Sequence, residues 1–183
     1  MKVYIKNQQR LIKVNQHRIR RDLKKTLRLL GLNRAELSVL FVNDRRMKIL
    51  NRQYRGIDRT TDVLSFPQQE NPPLPPFTKG GHGGITKLGY LKSNIVLGDI
   101  VINLHQTKRQ AAEHGLTFNE ELRQLMIHGL LHLIGYDHEK SRYHKSKMES
   151  KGRELLKALS QKSRMSQGKP FPSGPLPTVI QSP

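Results

Sequence analysis

The sequence predicts an α+β fold, a single domain in which a small mixed β-sheet packs against helices. The candidate elements follow one another in the order β-α-β-α-β-β-α-α-α. Strands fall in the first half of the chain and the longest helices at its end, which is typical of α+β proteins. The length of 183 residues fits one domain with a tail, and a hydrophobic fraction of 35% is enough for a modest core.

The first part of the chain alternates strands and helices. Residues 3–6 form a short candidate strand, and residues 18–30 carry isoleucine and leucine at helical spacing until a glycine ends the helix. Residues 37–42 are β-like, and Asn43 is a suitable N-cap for a helix that Gly56 closes. The order over this part is therefore β-α-β-α.

The middle of the chain holds two strands separated by a long loop. Residues 63–66 and 98–102 are β-like. Residues 68–94 contain four prolines and the run Gly-Gly-His-Gly-Gly, a composition typical of a flexible loop that is either functional or an insertion. The domain is therefore predicted to span residues 1–160, including this loop. The Ser/Pro/Gly-rich residues 161–183 are predicted to form a disordered tail.

Helices dominate the last third of the domain. Residues 104–114 predict a short helix. Thr117 and Glu120 form a capping box that opens a second helix, and Gly135 supplies a left-handed end for it. Residues 141–159 predict a last amphipathic helix that carries many charges.

Charge is the strongest compositional signal. The formal net charge is +19, and residues 1–60 hold seventeen basic against four acidic side chains. Such a field attracts polyanions and makes their binding salt-dependent. Aromatic residues make up only 5% and tryptophan is absent, which favours phosphate contacts over base stacking. The composition therefore fits a nucleic-acid partner, and the alternative is a solvated surface of a protein from a basic proteome.

Other features of the composition exclude several classes of protein. Without cysteine, the chain forms no disulfides, no thiolate metal site and no cysteine nucleophile. Its longest mostly apolar stretch, residues 126–135, is far short of the ~20 residues that a membrane helix needs. The first residues lack the apolar run of a signal peptide. We therefore expect a cytoplasmic protein with no membrane partner.

Three histidines around the end of the capped helix form the main candidate site. His128 and His132 lie four residues apart, so their rings project from one helix face, about 6 Å apart along the axis. Gly135 permits a turn with φ > 0 that can return His138 toward the other two. Three converging imidazoles leave one tetrahedral position for water, the open arrangement of catalytic zinc. The pattern predicts a metal site on the penultimate helix and the following turn; the alternative is two hydrogen-bonded core histidines and an incidental third.

The spacing His-x-x-x-His-x-x-Gly-x-x-His also occurs in metzincin proteases. Those enzymes place a glutamate directly after the first histidine as general base. Here that position is Gly129, which has no side chain, so peptide hydrolysis by the usual zinc-protease route is disfavoured. Glu120 and Glu121 lie about two turns earlier and are expected to be capping, supporting or surface groups.

Three blocks of the sequence resemble the YbeY family of endoribonucleases, also called rRNA maturation factors. One is the histidine run, residues 128–138. A second, residues 50–67, reads Leu-Asn-Arg-Gln-Tyr-Arg-Gly-Ile-Asp-Arg-Thr-Thr-Asp-Val-Leu-Ser-Phe-Pro. The third, residues 97–102, reads Leu-Gly-Asp-Ile-Val-Ile. With the matching order of strands and helices, the likeness covers about residues 1–159 apart from the Pro/Gly-rich loop.

The resemblance implies a single-strand-specific endoribonuclease that acts in rRNA maturation, at the 3′ end of 16S rRNA, and in ribosome quality control. It implies one Zn²⁺ per chain, held by His128, His132 and His138. It also implies that Arg55 binds phosphate in the catalytic cleft, a role that suits a guanidinium because it can clamp phosphate bidentately. The expected partner is ribosomal RNA or the ribosome, with the basic N-terminal third docking the RNA backbone.

Two other functions are compatible with the sequence. One is an RNA- or ribosome-binding assembly factor whose metal is structural. The other is a metal-dependent hydrolase of peptides or small molecules, which Gly129 and the net charge of +19 disfavour. Asp62, Ser65 and Asp99 lie in the matching blocks and are expected to be structural, Asp99 being a candidate to orient a ligand histidine. Four further histidines are expected at the surface: His82, His105, His114 and His144.

Overall fold

The structure, a computed structural model, describes residues 1–68, 95–136 and 141–161. Within these ranges one sheet is formed by β1 (Lys2–Asn7), β2 (Ala35–Val42), β3 (Val63–Pro67) and β4 (Ile95–Asn103). The spatial order is β1-β2-β4-β3; β1, β2 and β4 run parallel, and β3 runs antiparallel to β4. The predicted small mixed sheet is confirmed, and each predicted strand gains one to three residues at an end.

The described ranges also contain the helices that the sequence predicts. They are α1 (Gln16–Leu29), α2 (Asp44–Arg55), α3 (Leu104–Glu113), α4 (Phe118–Leu133) and α5 (Arg142–Gln161). Helix α5 includes Gln161, where the sequence placed the start of the tail. The predicted loop and tail otherwise fall on residues 69–94 and 162–183, outside the described residues. No helix in the described ranges is long and apolar enough to cross a membrane.

The two faces of the sheet carry different helices. On one face, α1, α4 and α5 build the main core, which includes Leu27, Phe41 and Leu130. Helix α2 packs on the other face, where Met47 and Val101 belong to a smaller core. Successive residues of a strand point to opposite faces, so α4 and α2 lie on opposite sides of β3 and β4.

Strand β4 has a bulge in its pairing with β2, and the next residue lies very close to β3. Leu97 is an extra residue in β4, because Glu36 and Leu37 of β2 pair with the residues on either side of it. Gly98 has a φ of 133°, and a Cβ atom there would lie 2.1 Å from the carbonyl oxygen of Phe66. A side chain at this position would push β3 away, so the edge of the sheet depends on this glycine.

A polar junction around the buried side chain of Asn103 connects α2 to α3. The Asn103 side-chain amide donates to Asp44 Oδ1 at 2.7 Å and to the Thr60 hydroxyl at 2.9 Å. Its oxygen accepts from two backbone N–H groups in the first turn of α3, which it caps. The Arg109 guanidinium grips Asp44 with bonds of 2.9 and 2.7 Å. These hydrogen bonds lower the pKa of Asp44 to about 2, and the hydrogen bond from Arg109 has the largest effect.

We expect Asp44→Asn to destabilise the fold in a pH-dependent way. A carboxyl group whose pKa is depressed by folding stabilises the protein above its unfolded pKa and loses that contribution as the pH falls through its folded pKa. For Asp44, the pH window in which this stabilisation is lost runs from the ordinary pKa of 3.8 down to the folded pKa of about 2. Because Asp44 is 37% exposed, solvent screening limits the cost to about 1 kcal/mol at pH 6. At pH 3 the cost should be about half as large, which urea unfolding at both pH values would measure.

Asp58→Asn is the matched control for this change. Asp58 pairs with Lys48 at 3.3 Å, and both side chains are more than half exposed, so its removal should cost under about 0.5 kcal/mol at either pH. If Asp44→Asn cost as much at pH 3 as at pH 6, or no more than the control, the stabilising role of the junction would be contradicted.

Candidate metal centre

His128 and His132 lie on one face of α4 near its C-terminal end. The predicted capping box at the start of this helix is present: the Thr117 hydroxyl accepts from the Glu120 N–H, and the Glu120 carboxylate accepts from the Thr117 N–H. The Nε2 atoms of the two histidines are 3.1 Å apart. Their ring centroids are 4.7 Å apart at an interplanar angle of 74°. The two rings therefore converge on a common point, as their spacing predicts.

The histidine rings are partly exposed, whereas the helix that carries them is buried in the core. This places the imidazoles at a boundary where solvent or a ligand can reach them while their backbone is held rigidly. The apolar neighbours are core residues, as the sequence predicts: Met126, Ile127, Leu130, Leu131, Leu133 and Ile134.

The donor atoms of this pair suit a borderline transition metal. Imidazole nitrogen is a common zinc ligand, and a tetrahedral ion with bonds of about 2.0–2.1 Å holds two ligand nitrogens roughly 3.3 Å apart. The observed separation of 3.1 Å is close to that value. A hydrogen bond between two neutral rings has a similar length. Among the described residues, no further His, Cys, Asp or Glu joins the pair to form a cluster of three.

The third predicted ligand, His138, lies in residues 137–140, outside the described residues. The turn that leads to it is described. Gly135 has a φ of 91°, its N–H donates to the His132 carbonyl at 3.0 Å, and the Tyr136 N–H reaches the Leu131 carbonyl at 3.0 Å. The predicted left-handed end of α4 is confirmed, and metal binding by the three histidines stays a prediction.

Gly129, between the two histidines, is where α4 touches the sheet. A Cβ atom there would lie 2.9 Å from Ile100 Cγ2, 3.1 Å from Ser65 Oγ and 3.3 Å from Val63 Cγ2. The Ser65 hydroxyl donates to the Gly129 carbonyl at 3.2 Å. Packing therefore leaves no room for a glutamate at this position. The sequence shows that the glutamate base is missing, whereas the packing role of Gly129 depends on residues distant in the chain.

The two glutamates at the start of α4 have structural partners. Glu120 belongs to the capping box, as expected. Glu121 is only 3% exposed and lies 3.1 Å from His114 Nδ1. Burial raises the pKa of Glu121, and the hydrogen bond with His114 acts in the opposite direction. The prediction that His114 is a surface residue is wrong, because α3 packs against α4 and leaves its side chain 25% exposed.

The other histidines that were expected at the surface also differ in their exposure. His144 is exposed, as predicted. His105 is 23% exposed and lies 3.6 Å from Asp44 at the polar junction, so its expected surface position is also wrong. His82 lies outside the described residues.

Arg55 lies on the last turn of α2, which Gly56 caps with a φ of 72°. The side chain is exposed, and its guanidinium forms no hydrogen bond or ion pair within the part of the chain that the structure describes. Because α2 and α4 pack on opposite faces of β3 and β4, Arg55 and the histidine pair approach these strands from opposite sides. The phosphate-binding role of Arg55 stays a prediction.

The other residues of the matching blocks have local structural roles. Asp62 accepts from the next backbone N–H at 2.7 Å and from Gln110 at 3.1 Å. Ser65 fastens β3 to α4. Asp99 accepts from Gln68 at 3.4 Å and points to the face of the sheet opposite α4. That orientation does not support the suggestion that Asp99 orients a ligand histidine.

The small α+β fold and the converging histidine pair on a buried helix make this chain a candidate metalloprotein. Comparison with known proteins is more specific. Residues 4–160 match the family profile described as "Endoribonuclease YbeY". The chain belongs to the YbeY family, as the resemblance predicts.

Individual relatives and a solved structure agree with this assignment. The endoribonuclease YbeY of Persephonella marina is 42% identical over 123 residues, 67% of this chain and 69% of that protein. The namesake from Aquifex aeolicus is 36% identical over 155 residues, 82% and 91% of the two chains. The solution structure of TM1509 from Thermotoga maritima has a TM-score of 0.57 at 24% identity and covers 95% of this chain and 99% of its own. The last comparison shows a similar fold.

We expect Gly129→Ala to destabilise the protein, although alanine is favoured over glycine by about 1 kcal/mol inside a helix. The added methyl group would press against Ile100, which is fully buried and stiff because it is β-branched. Overpacking of this kind costs about 1–3 kcal/mol, so a net loss is expected. In α5, a Cβ atom at Gly152 would find its nearest neighbour at 3.9 Å, and Gly152→Ala should be stabilising.

Urea unfolding of the two alanine variants would measure this difference. We expect the free energy of unfolding to fall in Gly129→Ala and to rise in Gly152→Ala, although the chemical substitution is the same. Equal stabilisation by both variants would contradict the close packing of α4 at Gly129.

Proposed function

We propose that this protein is a zinc-dependent, single-strand-specific endoribonuclease that matures ribosomal RNA at the 3′ end of 16S rRNA and takes part in ribosome quality control. The observation that carries the proposal is the histidine pair, whose Nε2 atoms converge to 3.1 Å, in a chain of the YbeY family. Relatives in that family are described as endoribonucleases, and we transfer this activity to the present chain.

The proposed site assigns separate tasks to the protein's own groups. His128, His132 and His138 would hold one Zn²⁺, with two ligands fixed by a rigid helix and the third supplied by the turn after it. When bound, the metal supplies Lewis acidity toward the scissile phosphate. Arg55 would clamp the phosphate through paired N–H donors and stabilise the charge that grows on it. Gly129 leaves no carboxylate between the histidines, which fits a phosphodiester substrate better than the zinc-protease route.

Ribosomal RNA or the ribosome is the proposed partner. The formal net charge of +19, concentrated in the first third of the chain, would draw a polyanion toward the protein. The absence of cysteine fits a reducing compartment, so we place this activity in the cytoplasm.

We expect His132→Ala to lose the metal and to cleave a 16S rRNA fragment at least about a thousandfold more slowly, because Lewis-acid stabilisation amounts to several kcal/mol. Elemental analysis and cleavage would be measured on the same preparations. His144→Ala is the matched control, since His144 is an exposed histidine on α5 bonded to Ser141, and it should keep both metal and activity. Equal cleavage by wild type and His132→Ala would contradict the metal-dependent mechanism.

Arg55→Ala should keep its metal and its fold but lower kcat by about a hundredfold, the effect of losing one donor that acts in the transition state. Arg55→Lys should recover only part of this loss, because lysine keeps the charge without the bidentate geometry. Arg28→Ala, at an exposed arginine of α1, controls for the removal of one positive charge. An unchanged kcat in Arg55→Ala would remove Arg55 from the site.

The same experiments distinguish the nuclease from an RNA- or ribosome-binding assembly factor with a structural metal. The assembly factor would bind RNA without cutting it, and loss of the metal in His132→Ala would unfold the protein. Circular dichroism of the metal-free variant therefore separates the two functions.

A further inference from the structure

The outer face of α2 carries a line of positive charge that the proposed metal centre does not use. The α2 stripe consists of Arg45, Lys48 and Arg52, which are exposed on this helix. With 3.6 residues per turn, these three side chains and Arg55 fall within an arc of about 80°. From Arg45 to Arg55 the line extends about 15 Å along the helix axis. The α2 stripe therefore leads directly to the residue proposed to hold the scissile phosphate.

The α2 stripe borders an open groove of about 570 Å³. Ile49 and Gln53, on the same helix face, complete the helical side of the groove, and Asp58 lies in the segment that follows α2. Ile49 is 45% exposed and offers an apolar surface between the charges. A concave surface with cations along it and an apolar centre suits an extended chain with regularly spaced phosphates.

Little in the protein neutralises these charges. Arg45 and Arg52 have no ion-pair partner within the described residues. Lys48 pairs with Asp58 at 3.3 Å, with the two side chains 51% and 59% exposed. An exposed pair of this kind is worth only about 0–1 kcal/mol, so a phosphate can replace Asp58 at low cost. Among the described side chains, the α2 stripe is thus a cationic surface whose one carboxylate partner, Asp58, is held weakly.

We propose that the α2 stripe is a docking track for the phosphate backbone of RNA, and that it guides the strand toward Arg55. This inference rests on the proposed function for the identity of the polyanion. It is narrower than a general attraction to a basic protein, because it assigns phosphate contact to one helix face. The track lies on the opposite side of β3 and β4 from the histidine helix, so the RNA would pass around the β3 edge of the sheet.

Helix α1 supplies a comparison within the same chain. Arg21, Lys24 and Arg28 repeat the spacing Arg-x-x-Lys-x-x-x-Arg of the α2 stripe. Helix α1 packs against β1, the strand at the edge of the sheet opposite β3. A strand of RNA that reaches Arg55 along α2 would not contact this second set of charges. The two helices therefore offer equal charge and spacing at different places.

The test compares two triple glutamine variants, since glutamine is about as favourable in helices as arginine and lysine. The first carries Arg45→Gln, Lys48→Gln and Arg52→Gln; the control carries Arg21→Gln, Lys24→Gln and Arg28→Gln. Binding of a fluorescent single-stranded RNA to the intact protein is followed by anisotropy from 50 to 300 mM salt. Cleavage is read on gels from the same samples, and thermal melting shows that each variant is folded.

Loss of three phosphate contacts should make the negative slope of log K against log salt less steep by about 2, and should weaken binding about a hundredfold at 0.1 M salt. The control should weaken binding less than about threefold, through the long-range field alone. The single variant Arg52→Gln should lose about fivefold, which keeps the test open if the triple variant does not fold. In cleavage, the α2 variant should raise KM and leave kcat unchanged.

Equal losses in the two triple variants would overturn the track, because net charge alone would then explain binding. An α2 variant that keeps its RNA affinity but loses binding to phosphatidylserine vesicles would also overturn it, and would assign the surface to membranes. A wild-type protein that binds RNA through α2 without cutting it would support the track while the nuclease proposal fails. The experiment can therefore refute the docking track and the nuclease activity independently of each other.

Discussion

The contact between Gly129 of α4 and strands β3 and β4 is the constraint on which the candidate site depends. No side chain separates the helix from the sheet at this point, and the Ser65 hydroxyl ties the helix backbone to β3. His128 and His132 come one residue before and three residues after this contact. The close packing therefore fixes the height and rotation of both rings, while the buried apolar residues around them prevent the helix from shifting.

The same half of the sheet carries the other feature that bears on function. Strands β3 and β4 have the histidine helix on one face and the basic helix α2 on the other. The junction of Asp44, Asn103 and Arg109 joins the start of α2 to α3, and α3 packs against α4. Two helices with different chemistry are thus held in fixed positions around one sheet edge. This arrangement suits a long polyanionic substrate, whose backbone can be held at a distance from the bond that reacts.

Much of the architecture can be predicted from local sequence signals. The Asn43 and Thr117 caps and the left-handed glycine at Gly135 define helix ends through interactions within a few residues, and all are present. The order of strands in the sheet depends on pairings across long stretches of chain, which periodicity does not encode. The partial burial of His114 and the crowding at Gly129 likewise arise from residues on other elements. For this reason the sequence identified the histidines as a candidate site but could not show why a glycine stands between them.

We propose that the imidazoles of His128 and His132 hold a metal ion in the active protein. X-ray absorption spectroscopy at the zinc edge, on a preparation that is active in rRNA cleavage, would detect that ion and its ligands. We expect one zinc per chain, with imidazole nitrogens at about 2.0–2.1 Å, and loss of that signal in His132→Ala. Full cleavage activity in protein without metal, or a zinc signal unchanged by His132→Ala, would contradict it.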